Sequence, residues 1–149
     1  MAAEDRLKEL GIDLPTPPAP VANYVRTVQV GNLLFISGHG PSANCPAGKL
    51  GRDLTIEQGY QAAREVGLNI LSSARAHLGS LDRVKRVVKV LGMVNSDPEF
   101  GDQPKVMNGC SDLFVDVFGD AGKHTRSAVG FVALPNQIPV EIECTFEVE

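Results

Sequence analysis

A chain of 149 residues with 43% hydrophobic content has room for one well-filled core and lies within the usual range of a single domain. Fourteen Lys and Arg against 18 Asp and Glu leave a net charge of −4 with no basic run, so nucleic acid is not expected as a partner. The charged start, Met1-Ala-Ala-Glu-Asp-Arg6, has no apolar signal core, and the longest aliphatic or aromatic run, residues 33–36, is too short to span a bilayer; a cytoplasmic location is expected, with no membrane association.

From the N-terminus, residues 4–14 can form a short helix with Leu7 and Leu10 turned inward, which Pro15-Thr-Pro-Pro-Ala-Pro20 ends and extends. Residues 25–30 and 33–37 read as a hairpin joined by Gly31-Asn32, and Ser37-Gly-His-Gly-Pro41 should break its second strand. A surface loop is expected over residues 41–54. Thr55 and Gln58 form a capping box, after which Ile56, Tyr60, Ala63, Gly67, Ile70, Ala74 and Leu78 recur at helical spacing up to Gly79. Residues 84–94 form a third strand and Asn95-Ser-Asp-Pro98 a turn. A second long helix carries Val106, Cys110, Leu113 and Val117 with Met107, Phe114 and Phe118 on one stripe, closing at Gly119.

The last quarter is the most informative. Residues 128–134 are apolar on both faces, which predicts a central strand; Val140 to Val148 alternates, with Val140, Ile142, Cys144, Phe146 and Val148 on one face and Glu141, Glu143, Thr145 and Glu147 on the other. Arg126 enters the sheet just where the chain turns apolar, with carboxylates on the expected neighbouring strand, and suggests either an anion site or a structural ion pair. The order is ββαβαββ, an α+β fold with a mixed sheet. Two helices cover only one face of such a sheet, so the other face should be buried by self-association.

Cys45, Cys110 and Cys144 are widely spaced, without Cys-x-x-Cys, and read as free thiols. His39, His77 and His124 show no ligand spacing, so no metal and no cofactor are expected; no Ser-His pair is expected either. The stretch Gly119-Asp-Ala-Gly122-Lys123-His-Thr125 follows a helix rather than a strand and lacks the Gly five residues before Gly122, so it is not read as a phosphate loop.

Several segments match one family in the same order: Pro20-Val-Ala-Asn-Tyr24, Val30-Gly-Asn-Leu-Leu-Phe-Ile-Ser-Gly38, Pro41, Gly48-Lys-Leu50, Asn69-Ile70, Val106-Met-Asn108 leading to Phe118, Arg126-Ser opening a strand that ends in Leu134-Pro135, and Val140-Glu-Ile-Glu143. Over about residues 15–149 the chain resembles the reactive intermediate deaminase (Rid, or YjgF-like) family. The resemblance implies an N-terminal extension over residues 1–19 and a single YjgF-like domain over 20–149, with a chorismate-mutase-like fold and two helices on one sheet face. It also implies a homotrimer whose sheets form a central barrel, with a site in each cleft between subunits. The implied activity is hydrolysis of reactive 2-imino acids or their enamine tautomers, by-products of pyridoxal-phosphate enzymes, to 2-keto acids and ammonia.

The resemblance also implies the roles. Arg126 would grip the substrate carboxylate, while Glu141 and the backbone carbonyl of Ala128, where many relatives have Cys, would hold a water beside it. Tyr24, Ser37 and Asn108 would line the cleft, and His39, in place of a common Gln, would stand at the pocket mouth. Four of them have a plainer reading: an ion pair for Arg126 with Glu141 or Glu143, a solvated strand face for Glu141, an exposed helical Asn for Asn108 and an exposed loop residue for His39. Two functional alternatives stand beside the deaminase: a non-catalytic module binding small carboxylates or keto acids, and an endoribonuclease, which the negative charge and few aromatics disfavour.

Overall fold

A computed structural model of the protein describes residues 1–20 and 22–149. The elements are α1 (Ala3–Glu9), β1 (Thr27–Val30), β2 (Leu33–His39), α2 (Ile56–Leu78), β3 (Val84–Asn95), α3 (Gln103–Phe118), β4 (Thr125–Phe131) and β5 (Val140–Val148), an α+β arrangement. One five-stranded sheet has the order β1-β2-β5-β3-β4. All pairings are antiparallel except β3 with β4, which α3 connects as a crossover.

The capping box at the start of α2 is present in both halves: the Thr55 hydroxyl accepts from the Gln58 amide, and the Gln58 side chain accepts from the Thr55 amide. Gly79 closes the helix in the left-handed conformation at φ 84°, donating to the Arg75 carbonyl. Helices α2 and α3 pack closely against each other, and Gly109 makes the approach possible: a Cβ there would run into the carbonyl of Tyr60. Between the helices and the sheet lie the fully buried Leu34, Ile70, Val90, Phe114, Ile142 and Phe146, with the Phe114 and Phe146 rings edge to face at 5.7 Å.

The first helix stops at Glu9 rather than near residue 14, because Leu10 is its C-cap and Gly11 takes φ 68°. It is seated on the same core. Leu7 is buried, and the Glu4 carboxylate accepts from Arg75 at 2.7 Å and from the Leu81 amide at 2.9 Å.

Strand β2 is not broken at Ser37. A bulge between Ile36 and His39 absorbs an extra residue, and the strand continues. His39 is therefore no exposed loop residue and does not stand at a pocket mouth. It is 1% exposed, bonded through Nδ1 to the Ser37 carbonyl at 2.5 Å and through Nε2 to the Ser73 hydroxyl of α2 at 2.8 Å.

The larger correction concerns β4, which is an edge strand and not a central one. The α3 crossover sets β4 beside β3 in parallel, and β5 inserts antiparallel between β2 and β3. The carboxylates of β5 are consequently one strand removed from β4. Apolar residues on both faces of β4 instead reflect one face under the helices and another on the open side of the sheet. On that open side Val28, Val30, Phe35, Val129 and Phe131 are all exposed. Among the described residues, no helix is long and apolar enough to cross a membrane.

Candidate functional site

Arg126 sits opposite Val90, which is buried, so its side chain lies on the helix-covered face at the sheet edge. There it meets α3: Nη1 donates to Asn108 Oδ1 at 2.9 Å and to Ser111 Oγ at 3.0 Å. Those two bonds use both protons of Nη1. Nε and Nη2 have no partner among the described residues, and Arg126 makes no ion pair there. The unused edge of the guanidinium is the planar two-donor fork that fits a carboxylate. Ala128, two residues along the same face, is half-buried opposite Gly92.

The ion-pair reading of Arg126 fails within the chain, because Glu141 and Glu143 project from the open face of the sheet. Glu141 stands opposite Met93 and lies over Gly38, where its carboxylate occupies the space that a Cβ would need. Burial first, and then repulsion from Glu143, raise its carboxyl above the ordinary carboxylate range. Glu141 is thus only half-buried and not simply a solvated strand residue.

Ser37 donates its hydroxyl to the Val25 carbonyl at 2.6 Å, tying β2 to the segment that carries Tyr24. Tyr24 is exposed and has the Arg26 guanidinium over its ring, 5.7 Å from the centroid. Arg26 also donates to the carbonyls of Pro18 and Ala19, which links Tyr24 to the proline-rich segment before it.

The six candidates therefore fall into two groups. Arg126, Asn108 and Ala128 gather around β4 and α3 at one sheet edge; Tyr24, Ser37 and Glu141 belong to the β1–β2–β5 side. Three strand spacings separate β2 from β4, roughly 14 Å, and two separate β5 from β4, roughly 10 Å, with Glu141 and Arg126 on opposite faces. A cavity of about 360 Å³ between residues 42–46 and α2, and one of about 330 Å³ at the C-terminal ends of β3 and β4, contain none of the six.

Two residues at the Arg126 site were not anticipated. Ser111 is one helical turn beyond Asn108, and His124 meets it through Nε2 at 2.9 Å while its Nδ1 contacts the Gly122 carbonyl at 2.6 Å. With His39 and Ser73 this makes two Ser-His contacts where none was expected, both assembled by the fold from residues 13 and 34 positions apart. The signal available for Ser111 was its position three residues after Asn108, off the apolar stripe of the helix. Among the described residues, no three His, Cys, Asp or Glu side chains gather in a way that could hold a metal ion.

Comparison with known proteins agrees with this architecture. The family model described as "YjgF/chorismate_mutase-like, putative endoribonuclease" matches residues 4–142. Protein TCP17 of Trypanosoma cruzi is 46% identical over 145 residues, covering 95% of this chain and 91% of its own length. A crystal structure of an Agrobacterium tumefaciens protein of unknown function superimposes with a TM-score of 0.90 at 41% identity, over 99% of this chain and 92% of that one. RidA from an Antarctic Psychrobacter species superimposes with a TM-score of 0.58 at 27% identity, over 91% of this chain and 98% of its own. With a family match over most of the chain and relatives of 46% and 41% identity along nearly all of it, the chain belongs to the YjgF/chorismate mutase-like family.

Proposed function

We propose that the protein hydrolyses reactive 2-imino acids and their enamine tautomers to 2-keto acids and ammonia. One observation carries the reading: among the described residues Arg126 has no carboxylate partner, while Asn108 and Ser111 hold it so that its Nε and Nη2 edge is available. A half-buried cation in such a frame is suited to a small carboxylate. The family's RidA member supports the same direction.

The chemistry asks little of the protein beyond placement. An iminium carbon is already electrophilic; water adds to it, forming a C–O bond and giving one proton to a base. The resulting carbinolamine passes a proton to nitrogen, the C–N bond breaks, and ammonia leaves a 2-keto acid. Holding the carboxylate and the water in line supplies most of the acceleration. Glu141, with its carboxyl raised by burial and by Glu143, is the base in this scheme, since a base works best when its pKa lies nearer the working pH. The Ala128 carbonyl would help to hold the water.

Because Glu141 and Arg126 face opposite sides of one sheet, a site that uses both draws them from two copies of the chain. We place that site at a subunit boundary of a homotrimer, with the open sheet faces and their exposed Val28, Phe35, Val129 and Phe131 turned toward one another. Tyr24 and Ser37 would come with the Glu141 side.

A non-catalytic carboxylate-binding module is the second reading, favoured by the completeness of the Arg126 frame in a single protomer. An endoribonuclease fits less well, because the open face carries Glu141, Glu143 and Glu147 and the net charge is −4. The test is to generate 2-iminobutyrate with an amino acid oxidase and follow keto acid and ammonia release. Faster release with the protein present supports the enzyme. An unchanged rate with 2-oxobutyrate still bound at Arg126 supports the binding module.

A further inference from the structure

We propose that Ser111 and His124 are positioning residues that fix the Arg126 guanidinium in the plane from which it meets a carboxylate, with His124 acting through Ser111. The inference rests on the reading of Arg126 as the carboxylate anchor.

The hydrogen bonds form a chain with one direction. A carbonyl only accepts, so the 2.6 Å contact with Gly122 places a proton on His124 Nδ1. In the neutral ring Nε2 then offers a lone pair, and Ser111 donates its hydroxyl to it across 2.9 Å. That turns the lone pairs of Ser111 Oγ toward Arg126 Nη1, 3.0 Å away. Protonating Nε2 would make Ser111 face two N–H donors and would add a second cation beside Arg126. The local environment favours the neutral ring, because burial first, and then the Arg126 charge, hold His124 below its ordinary value. Phe114 stands edge-on to the imidazole with centroids 6.0 Å apart and limits how the ring can tilt.

Asn108 and Ser111 thus take the two Nη1 protons from two points on α3, and turning the guanidinium would break both bonds. Without Ser111 the guanidinium keeps one tether and can rotate about it. Among the described residues His124 makes no hydrogen bond to Arg126 or to Asn108; its part is to set the direction of the Ser111 hydroxyl. A purely structural tether of β4 to α3 would use the same contacts, and the experiment separates the two.

Binding of 2-oxobutyrate is measured by calorimetry for the parent and for Ser111→Ala, His124→Phe, His124→Gln, the double variant Ser111→Ala/His124→Phe, and Arg126→Lys, each checked for an intact melting transition. Ser111→Ala and His124→Phe should each weaken binding about three- to tenfold, the range of one modest hydrogen bond. The double variant should bind no more weakly than Ser111→Ala alone, because His124 works only through that hydroxyl. His124→Gln keeps an acceptor near the Nε2 position and should stay close to the parent. With 2-iminobutyrate, KM should rise in the impaired variants and kcat should hold. If Arg126→Lys loses binding while Ser111→Ala and His124→Phe match the parent, the anchor stands and the positioning role is overturned. Additive losses in the double variant would overturn the claim that His124 acts through Ser111. If Arg126→Lys binds 2-oxobutyrate as tightly as the parent, the anchor reading and this inference fall together.

Discussion

Replacing Arg126 with Lys keeps the positive charge and removes the geometry, and the structure allows the cost to be worked out. Arg126 has five N–H donors, of which Asn108 and Ser111 take two and the Nε/Nη2 edge presents a two-point fork. An ammonium has three donors. If Lys satisfies Asn108 and Ser111 it has one left, so the carboxylate loses one charge-assisted bond, about 1.5–3 kcal/mol or roughly ten- to a hundredfold in kcat/KM. The assay is steady-state hydrolysis of oxidase-generated 2-iminobutyrate, with a thermal melt to show that the fold persists. A folded Arg126→Lys variant that matches the parent in kcat/KM would refute the two-point grip.

Glu141→Gln should lower kcat by about a hundredfold or more, in the range lost with a general base, with little change in 2-oxobutyrate affinity measured by calorimetry. Gly109→Ala should destabilise by about 1–3 kcal/mol, seen as a lower Tm, because its Cβ would press on the Tyr60 carbonyl at the α2–α3 contact. His39 is buried and its pKa is lowered, with burial the main cause, so the unfolded chain binds its proton more readily. The stability it contributes is present above its unfolded value of about 6.5 and is lost as pH falls through the lower folded value; Tm should fall from pH 7.5 to pH 5, and fall less in His39→Gln. Light scattering should report three subunits, and Phe35→Glu combined with Val129→Glu on the open face should dissociate them; a stable monomeric parent at micromolar concentration would contradict the assembly.

What the sequence disclosed and what it hid divide along the range of the interactions concerned. The Thr55–Gln58 cap, the stripe of α3 and the alternation of β5 are set by neighbours within a few residues, and each is found where the pattern put it. Strand order is not local. An apolar β4 reads the same whether it is central or lies at an edge with an open apolar face, and only the α3 crossover decides. His39 was misjudged for a related reason: its partner Ser73 lies 34 residues away, and a bulge in β2 turns the imidazole inward. At the site, Asn108 was legible as a polar residue off the apolar stripe, and the structure brings it to Arg126. The division of the candidates between the β4 edge and the β1–β2–β5 side of the sheet was not legible, since it follows from strand order.

The open guanidinium edge of Arg126 should receive the carboxylate of a 2-imino or 2-keto acid. A crystal structure with 2-oxobutyrate tests it most directly. Both carboxylate oxygens should lie within about 2.7–3.0 Å of Nε and Nη2 of Arg126, with Asn108 and Ser111 still on Nη1 and a Glu141 carboxylate from another copy of the chain facing the keto carbon. Ligand bound elsewhere, with that edge occupied by a glutamate of a neighbouring copy, would contradict it.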